Sequence, residues 1–199
     1  MLGLFGPKSR DLMKTLSTDN FENDQFKFGT ARFILVYGIK IWVQRLSYVG
    51  ELGYELYVEL KDAKKIYELI IKKGKGFNLC NCGMHAMDIM RMESGFLHWG
   101  HDISPEENQY QAGLSFTISS KKGVDFIGKE AVEKIKQDKV KTRFSMFTLK
   151  ESAPGKPLLL HDEPIYNGEK IIGRSTSGNY SFNFKKNLVF GYILSLIHI

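Results

Sequence analysis

The chain has 199 residues, 43% of them apolar and 13% aromatic, which is enough to build a buried core and excludes an intrinsically disordered chain. Its formal net charge of +6 comes from 22 lysines and only 6 arginines. Because arginine is the usual reader of base edges, a nucleic-acid partner is not favoured. No run of about 18 apolar residues exists, so no membrane segment is predicted, and Cys80 and Cys82 are expected to be reduced in a cytoplasmic protein.

The first half of the chain alternates helix and strand patterns. In chain order these predict a helix at 7–16, a hairpin of residues 26–37 and 39–48 around Gly38, and a strand at 52–60. In the last of these, Leu52, Tyr54, Leu56, Val58 and Leu60 fall on one face. Glu55 therefore points away from that apolar row and can line a polar pocket, as can Tyr57 and Glu59.

The second half continues with mixed elements. It predicts a helix capped by Asp62 and closed at Gly74, helices at 83–93 and from Gly128, strands at 143–149, 165–166 and 170–176, and an Asn167-Gly168 turn. This order favours an α+β fold with antiparallel sheets. We place a domain boundary near Lys139, giving domains of residues 1–139 and 140–193.

The most informative motif is Tyr48-Val-Gly-Glu-Leu-Gly-Tyr-Glu55. Its two glycines interrupt a strand where the backbone can approach a ligand closely, with a tyrosine and a carboxylate on either side. A flat heterocycle such as a pterin needs both partners: an aromatic ring to lie against and an acceptor for its amide and amino hydrogens.

Further motifs follow in a consistent order. They are Leu4-Phe-Gly-Pro-Lys8, Arg91-Met-Glu-Ser-Gly95, His98-Trp-Gly-His-Asp102, Phe126-Ile-Gly-Lys-Glu130, Thr176-Ser-Gly178 and Lys185-Lys-Asn187. With the Tyr48–Glu55 motif, this order and spacing resemble the glycine-cleavage T-protein (aminomethyltransferase) superfamily. The resemblance is closer to the folate-binding C-terminal half of dimethylglycine and sarcosine dehydrogenases, and it covers residues 2–193.

The resemblance implies a partial folate-binding domain followed by a partial C-terminal β-barrel. It implies that Glu55 accepts hydrogen bonds from the pterin of tetrahydrofolate and that Tyr48 contacts the folate. In the parent enzyme, an N-terminal domain with FAD would oxidise a small N-methyl amine. The present portion would then capture the one-carbon unit as methylene-tetrahydrofolate.

Two positions depart from the family pattern. Met87 stands where the glycine-cleavage enzymes carry an arginine, and Gln111 stands where an acid is usual. The family's aspartate near the reacting nitrogen lies upstream of Met1, so no catalytic residue is assigned here.

Two other functions stay open. One is a stand-alone T-protein that takes an aminomethyl group from a lipoyl carrier protein. The other is a non-catalytic regulatory relative that binds a protein partner.

The remaining chemistry-bearing residues have plainer interpretations. His98 and His101 lie three apart in a glycine-containing loop with no third ligand fixed, so no metal site is predicted. For Arg91, a buried ion pair is the favoured role.

Both ends of the sequence suggest added or missing segments. Residues 194–199 match a translated sequencing adaptor and are expected to lie outside the natural protein, and we expect Met1 to enter in mid-domain. We therefore expect the 199-residue chain alone to be inactive as a catalyst.

Overall fold

The computed structural model describes residues 1–118, 123–137 and 140–195, and the chain divides into two compact units, Met1–Ser94 and Gly95–Ile199. Each unit contains a four-stranded antiparallel sheet. The predicted α+β class is therefore confirmed. None of the helices in these described ranges has the length and apolar character needed to cross a membrane.

The first unit contains a sheet and three α-helices. Its elements are β1 (Leu2–Phe5), α1 (Ser9–Leu16), β2 (Ala31–Val36), β3 (Ile39–Gln44), β4 (Gly53–Tyr57), α2 (Leu60–Gly74) and α3 (Met84–Glu93). The strand order is β1-β4-β3-β2. The predicted hairpin around Gly38 is confirmed, because β2 pairs with β3 and Tyr37 and Gly38 both have positive φ, as a tight turn requires. Its strands are shorter than predicted, since residues 26–30 and 45–48 lie outside them.

The core of this unit lies on one face of the sheet. Its buried members come from every strand and from α1 and α2: Leu4, Leu12, Met13, Leu16, Phe21, Phe26, Ile34, Val36, Ile41, Val43, Tyr54, Leu56, Ile66 and Ile70. Tyr54 and Leu56 alternate with Glu55 along β4, as the period-2 pattern predicts.

The predicted bounds needed correction around residue 60. The strand β4 ends at Tyr57, Glu59 is the N-cap of α2, and Asp62 lies within the first helical turn instead of capping it. Leu60 is 93% exposed and does not join the apolar row. An acidic residue is also favourable in the first turn, where it faces the positive end of the helix dipole, so Asp62 alone could not fix the helix start. The first helix likewise begins at Ser9, two residues later than predicted.

The second unit contains α4 (Lys129–Gln137), β5 (Thr142–Thr148), β6 (Pro164–Asn167), β7 (Lys170–Ser181) and β8 (Lys186–Leu194), with strand order β5-β8-β7-β6. The sequence patterns predicted β5, β6 and the start of β7, but β8 was missed. It is the most buried strand of the unit, from Asn187 to Ile193. A continuous apolar run is typical of such a strand.

Two expectations stay predictions: the domain boundary near Lys139 and the adaptor origin of residues 194–199. Lys139, the proposed boundary, lies outside the described residues. Leu194 pairs with Thr142, and the Ser195 amide donates to the Lys141 carbonyl at 2.9 Å. Residues 196–199 of the expected adaptor segment are outside the described range.

The corrected end of β4 generates a stability prediction. Leu56 is fully buried in the core, so Leu56→Ala should lower the free energy of unfolding by about 2–5 kcal/mol. The matched variant Leu60→Ala should change it by less than about 0.5 kcal/mol because the side chain is exposed. Urea unfolding followed by circular dichroism measures both. Equal losses would contradict the assignment of Leu60 to the solvent.

Candidate functional site

Glu55 lies on the face of the first sheet opposite the core. Its strand β4 is central, with β1 on one side and β3 on the other. The register places Gly3 opposite Glu55 on β1 and Gln44 opposite it on β3. Because directly paired residues share a face, Gly3, Glu55 and Gln44 form one row across this surface. We call this surface the open face.

A phenol holds the Glu55 carboxylate. Tyr57 Oη donates a hydrogen bond to Glu55 Oε2 at 2.9 Å. This bond, together with reduced hydration and the negative charge of Glu55, raises the pKa of Tyr57 above its ordinary value of 10.0. Within the described residues, Glu55 Oε1 has no hydrogen-bond partner. One carboxylate oxygen is thus fixed by the protein and the other is available to a ligand.

The two glycines of the motif have different roles. Gly50 has a φ of +75° in the bend after β3, and a Cβ there would lie 2.0 Å from Ser94 Oγ. Gly53 belongs to β4, and a Cβ there would lie 2.3 Å from the Phe5 ring. A Cβ on Gly3 would meet the same ring at 2.5 Å. The ring of Phe5 therefore covers the backbone of Gly3, which pairs with Glu55, and of Gly53, two residues before Glu55.

Tyr48 lies half-buried in the bend at residues 48–50 and has an interaction partner within the described structure. The hydroxyl that the structure joins to Glu55 is that of Tyr57. The sequence pattern places Tyr57 on the same face as Glu55, and the structure adds its hydrogen bond to the carboxylate. Glu59, predicted on that face, is instead the exposed N-cap of α2 and pairs with Lys61 at 2.7 Å.

Aromatic side chains continue the open face away from Glu55. Trp42 on β3 pairs with Tyr57 on β4. Phe33 on β2 pairs with Trp42, and the ring centroids of Phe33 and Trp42 are 4.8 Å apart. The Lys40 ammonium lies 4.4 Å from the Phe33 ring centroid. The open face therefore combines a carboxylate, flat apolar surfaces and a cation, which suits a planar ligand that carries both polar edges and an anionic group.

The helix α3 contains the position that departs from the family pattern. Met87 lines an apolar cavity of about 380 Å³ together with Met84, Met90 and Ile70. One turn on, Arg91 is buried and its Nη2 lies 2.7 Å from Asp88 Oδ1. This agrees with the ion pair predicted for Arg91, with the cation buried and Asp88 32% exposed.

The second unit holds a buried carboxylate in the His98–Asp102 motif. Asp102 Oδ1 accepts hydrogen bonds from Thr176 Oγ1 at 2.6 Å and Ser177 Oγ at 2.7 Å, while Oδ2 accepts from the His98 amide at 2.8 Å. Tyr192 Oη donates to the Asp102 carbonyl at 2.8 Å, and burial is the main cause that raises the pKa of Tyr192. Asp102 thus ties the histidine loop to β7 and β8.

The histidines of that loop lie close together. The ring centroids of His98 and His101 are 4.6 Å apart, and those of His101 and His161 are 6.2 Å apart. Across the residues that the structure describes, no group of three His, Cys, Asp or Glu side chains could hold a metal ion. Gln111, the other departure, lies after that loop and donates from Nε2 to Thr142 Oγ1 on β5 at 2.9 Å.

Comparison with known protein families identifies the family of this chain. The family described as the GCVT N-terminal domain matches residues 1–122, and the family described as the glycine cleavage T-protein C-terminal barrel domain matches residues 143–195. The chain belongs to the GCVT family.

Individual relatives fall into two groups. Human mitochondrial dimethylglycine dehydrogenase is 34% identical over 97% of this chain. The 4-methylaminobutanoate oxidase (formaldehyde-forming) of Paenarthrobacter nicotinovorans is 36% identical over 90%. The chain spans 22% and 21% of these two proteins. The aminomethyltransferase of Symbiobacterium thermophilum is 31% identical over 97% of this chain, which spans 51% of that protein.

A solved structure supports the fold. The crystal structure of glycine cleavage system aminomethyltransferase T from Bartonella henselae matches 98% of this chain with a TM-score of 0.81 at 18% identity, and the chain spans 51% of it. The expected GCVT fold is therefore confirmed.

The Tyr57–Glu55 contact generates a pH prediction. The raised pKa of Tyr57 means that the folded state holds its proton more tightly than the unfolded state. This contribution to stability is present below pH 10 and is lost as the pH rises through the folded-state pKa. Glu55→Gln should bring the pKa back toward 10.0, because the negative acceptor is gone. Nuclear magnetic resonance of ¹³Cζ-labelled tyrosine, assigned with Tyr57→Phe, measures it. Glu51→Gln is the control, and an unchanged pKa in Glu55→Gln would contradict the assignment.

The buried Asp102 generates a second prediction. Asp102→Asn removes the charge that three donors share, and hydrogen bonds to charged groups contribute about 1.5–3 kcal/mol each, so thermal stability should fall clearly. Asp125→Asn, at an exposed ion pair with Lys129, should have little effect. Differential scanning calorimetry compares the two, and a wild-type melting temperature in Asp102→Asn would show that this carboxylate does not hold the loop.

Proposed function

We propose that this chain is the tetrahydrofolate-binding, one-carbon-transfer portion of a longer, flavin-dependent enzyme similar to dimethylglycine or sarcosine dehydrogenase. The one-carbon unit released by oxidation of a small N-methyl amine is captured as methylene-tetrahydrofolate. Its main support is Glu55: a carboxylate with one available oxygen, on a sheet face lined with aromatic rings. The 34% identity to human dimethylglycine dehydrogenase favours this branch of the family.

The donor set fits the pterin. Glu55 Oε1 is an acceptor on a face that solvent can reach, and Tyr57 fixes the orientation of the carboxylate from its other oxygen. An ionised carboxylate with one oxygen fixed can accept the paired amide and amino hydrogens of a pterin edge at little cost in side-chain entropy. Tyr48 is proposed to contact the folate from the bend at 48–50.

The apolar neighbours have a separate task. Phe5 covers the backbone of Gly3 and Gly53, and Trp42 lies beyond Tyr57. These rings offer a flat surface beside the carboxylate and keep water from the ligand's faces. Bound tetrahydrofolate supplies the nucleophilic nitrogens that accept the one-carbon unit. The protein's contribution is proximity and orientation.

Charge supports the same ligand. The chain carries a net charge of +6, and Lys40 is on the open face. A folate ends in anionic glutamate, which such a surface attracts.

A stand-alone aminomethyltransferase is the second candidate. The relative from Symbiobacterium thermophilum carries this name, and the chain spans half of that protein. Under this alternative, the amine donor is an aminomethyl group on a lipoyl carrier protein. One observation disfavours this alternative. Met87 stands where the glycine-cleavage enzymes carry an arginine, and it lines an apolar cavity.

The coding sequence upstream of Met1 separates the two candidates. A strand followed by a glycine-rich G-x-G-x-x-G motif there would support the dehydrogenase with FAD in a preceding domain. An open reading frame that begins without such a motif would favour the aminomethyltransferase.

Folate binding tests the site itself. Glu55→Gln should weaken tetrahydrofolate binding by about tenfold or more, because it removes the charged acceptor and presents an amide that can offer a donor to the ligand's donors. Tyr48→Phe should weaken it by a smaller factor. Isothermal titration calorimetry under reducing conditions, on the 199-residue chain and on any longer product of its gene, provides the dissociation constants.

Glu51→Gln is the matched control, because Glu51 is an exposed carboxylate in the same motif. If neither protein binds tetrahydrofolate, and Glu55→Gln changes nothing, a regulatory protein that binds a partner is the better account.

A further inference from the structure

We infer that Gln44 is a specificity-determining residue of the open face, which reads the ring oxygen next to the pterin edge held by Glu55. This inference rests on the proposed folate function. It concerns a residue that the sequence patterns did not single out.

Register places Gln44 beside Glu55. Gln44 on β3 pairs directly with Glu55 on β4, and paired side chains of an antiparallel sheet have Cβ atoms about 5 Å apart on one face. Glutamine and glutamate side chains have the same length. The carboxamide and the carboxylate can therefore stand at the same height above the sheet, side by side.

Among the residues beside Glu55 on the open face, Gln44 is the one that can donate to a ligand next to the carboxylate. On the β1 side the paired residue is Gly3, which lies under the Phe5 ring. Along β4, Gly53 lies under the same ring, and the Tyr57 hydroxyl already donates to Glu55. The surroundings of Glu55 are thus apolar toward β1 and polar toward β3.

The Gln44 carboxamide is available for a ligand. The side chain is half-buried, and within the described residues it has no hydrogen-bond partner. The neighbouring Arg45 guanidinium is engaged by the Asn23 side chain and the Phe26 carbonyl.

The two groups match one edge of a 4-oxo pterin. That edge presents an amino group and a ring N–H, which are donors, and next to them a carbonyl oxygen, which is an acceptor. Glu55 Oε1 suits the donors, and the Gln44 amide nitrogen suits the oxygen. A ligand with an amino group at this ring position would instead present a donor there, and the adjacent ring nitrogen would then carry no hydrogen.

The test compares two compounds that differ in the substituent at that position and, with it, in the hydrogen on the adjacent ring nitrogen. Each variant is therefore judged by the change in their ratio from the wild-type protein. In 10-methylfolate ring position 4 carries an oxygen, and in methotrexate it carries an amino group. Gln44→Leu should raise the dissociation constant of 10-methylfolate about fivefold, the value of one neutral hydrogen bond. Gln44→Glu should raise it by about tenfold, because an acceptor then faces an acceptor, while methotrexate should bind as well as before or better.

The ratio of the two dissociation constants is therefore the readout, measured by fluorescence quenching or calorimetry. Gln25→Glu adds the same charge at an exposed loop position and should leave the ratio unchanged. Circular dichroism checks that each variant folds. A purely structural role for Gln44 would weaken both compounds alike.

The outcomes separate this inference from the function on which it rests. If the wild-type protein binds 10-methylfolate and Glu55→Gln weakens it, but both Gln44 variants keep the wild-type ratio, the role of Gln44 is overturned and the folate function stands. If the wild-type protein binds neither compound and no tetrahydrofolate, both are overturned. A ratio that shifts toward methotrexate in Gln44→Glu supports the inference.

Discussion

The candidate site depends on the register of β4 between its two neighbours. Pairing with β1 and β3 sends Tyr54 and Leu56 into the core and leaves Glu55 on the opposite face. Because side chains alternate strictly along a strand, a slip of one residue would bury the carboxylate and expose the core residues. The apolar core therefore fixes the position of the candidate binding carboxylate on the opposite face.

Period-2 and helical patterns predicted α1, the hairpin, β4, α2 and α3 of the first unit, but not the short strand β1. The alternation around Glu55 and the hairpin at Gly38 could be predicted because one face of each strand is buried. The start of α2 could not, because Leu60 continued the apolar alternation by chance and Asp62 resembled a cap. The central strand β8 was missed because a strand buried on both sides has no alternation to detect.

The site was only partly predictable from the sequence. Glu55 could be found from its motif, but the hydroxyl that holds it comes from Tyr57, and strand pairing places Gly3 and Gln44 opposite it. These are contacts across the sheet, and a single sequence gives no signal for its register beyond the hydrophobic pattern. In the second unit the same limit applies to Asp102, whose partners Thr176 and Ser177 lie more than 70 residues away.

A crystal structure of the protein with bound tetrahydrofolate tests the central claim most directly. The account predicts that Glu55 Oε1 lies within about 3.2 Å of the amino nitrogen and the adjacent ring N–H of the pterin, while Oε2 keeps its bond to Tyr57. A folate bound elsewhere, with Glu55 facing solvent and bonded only to Tyr57, would contradict it.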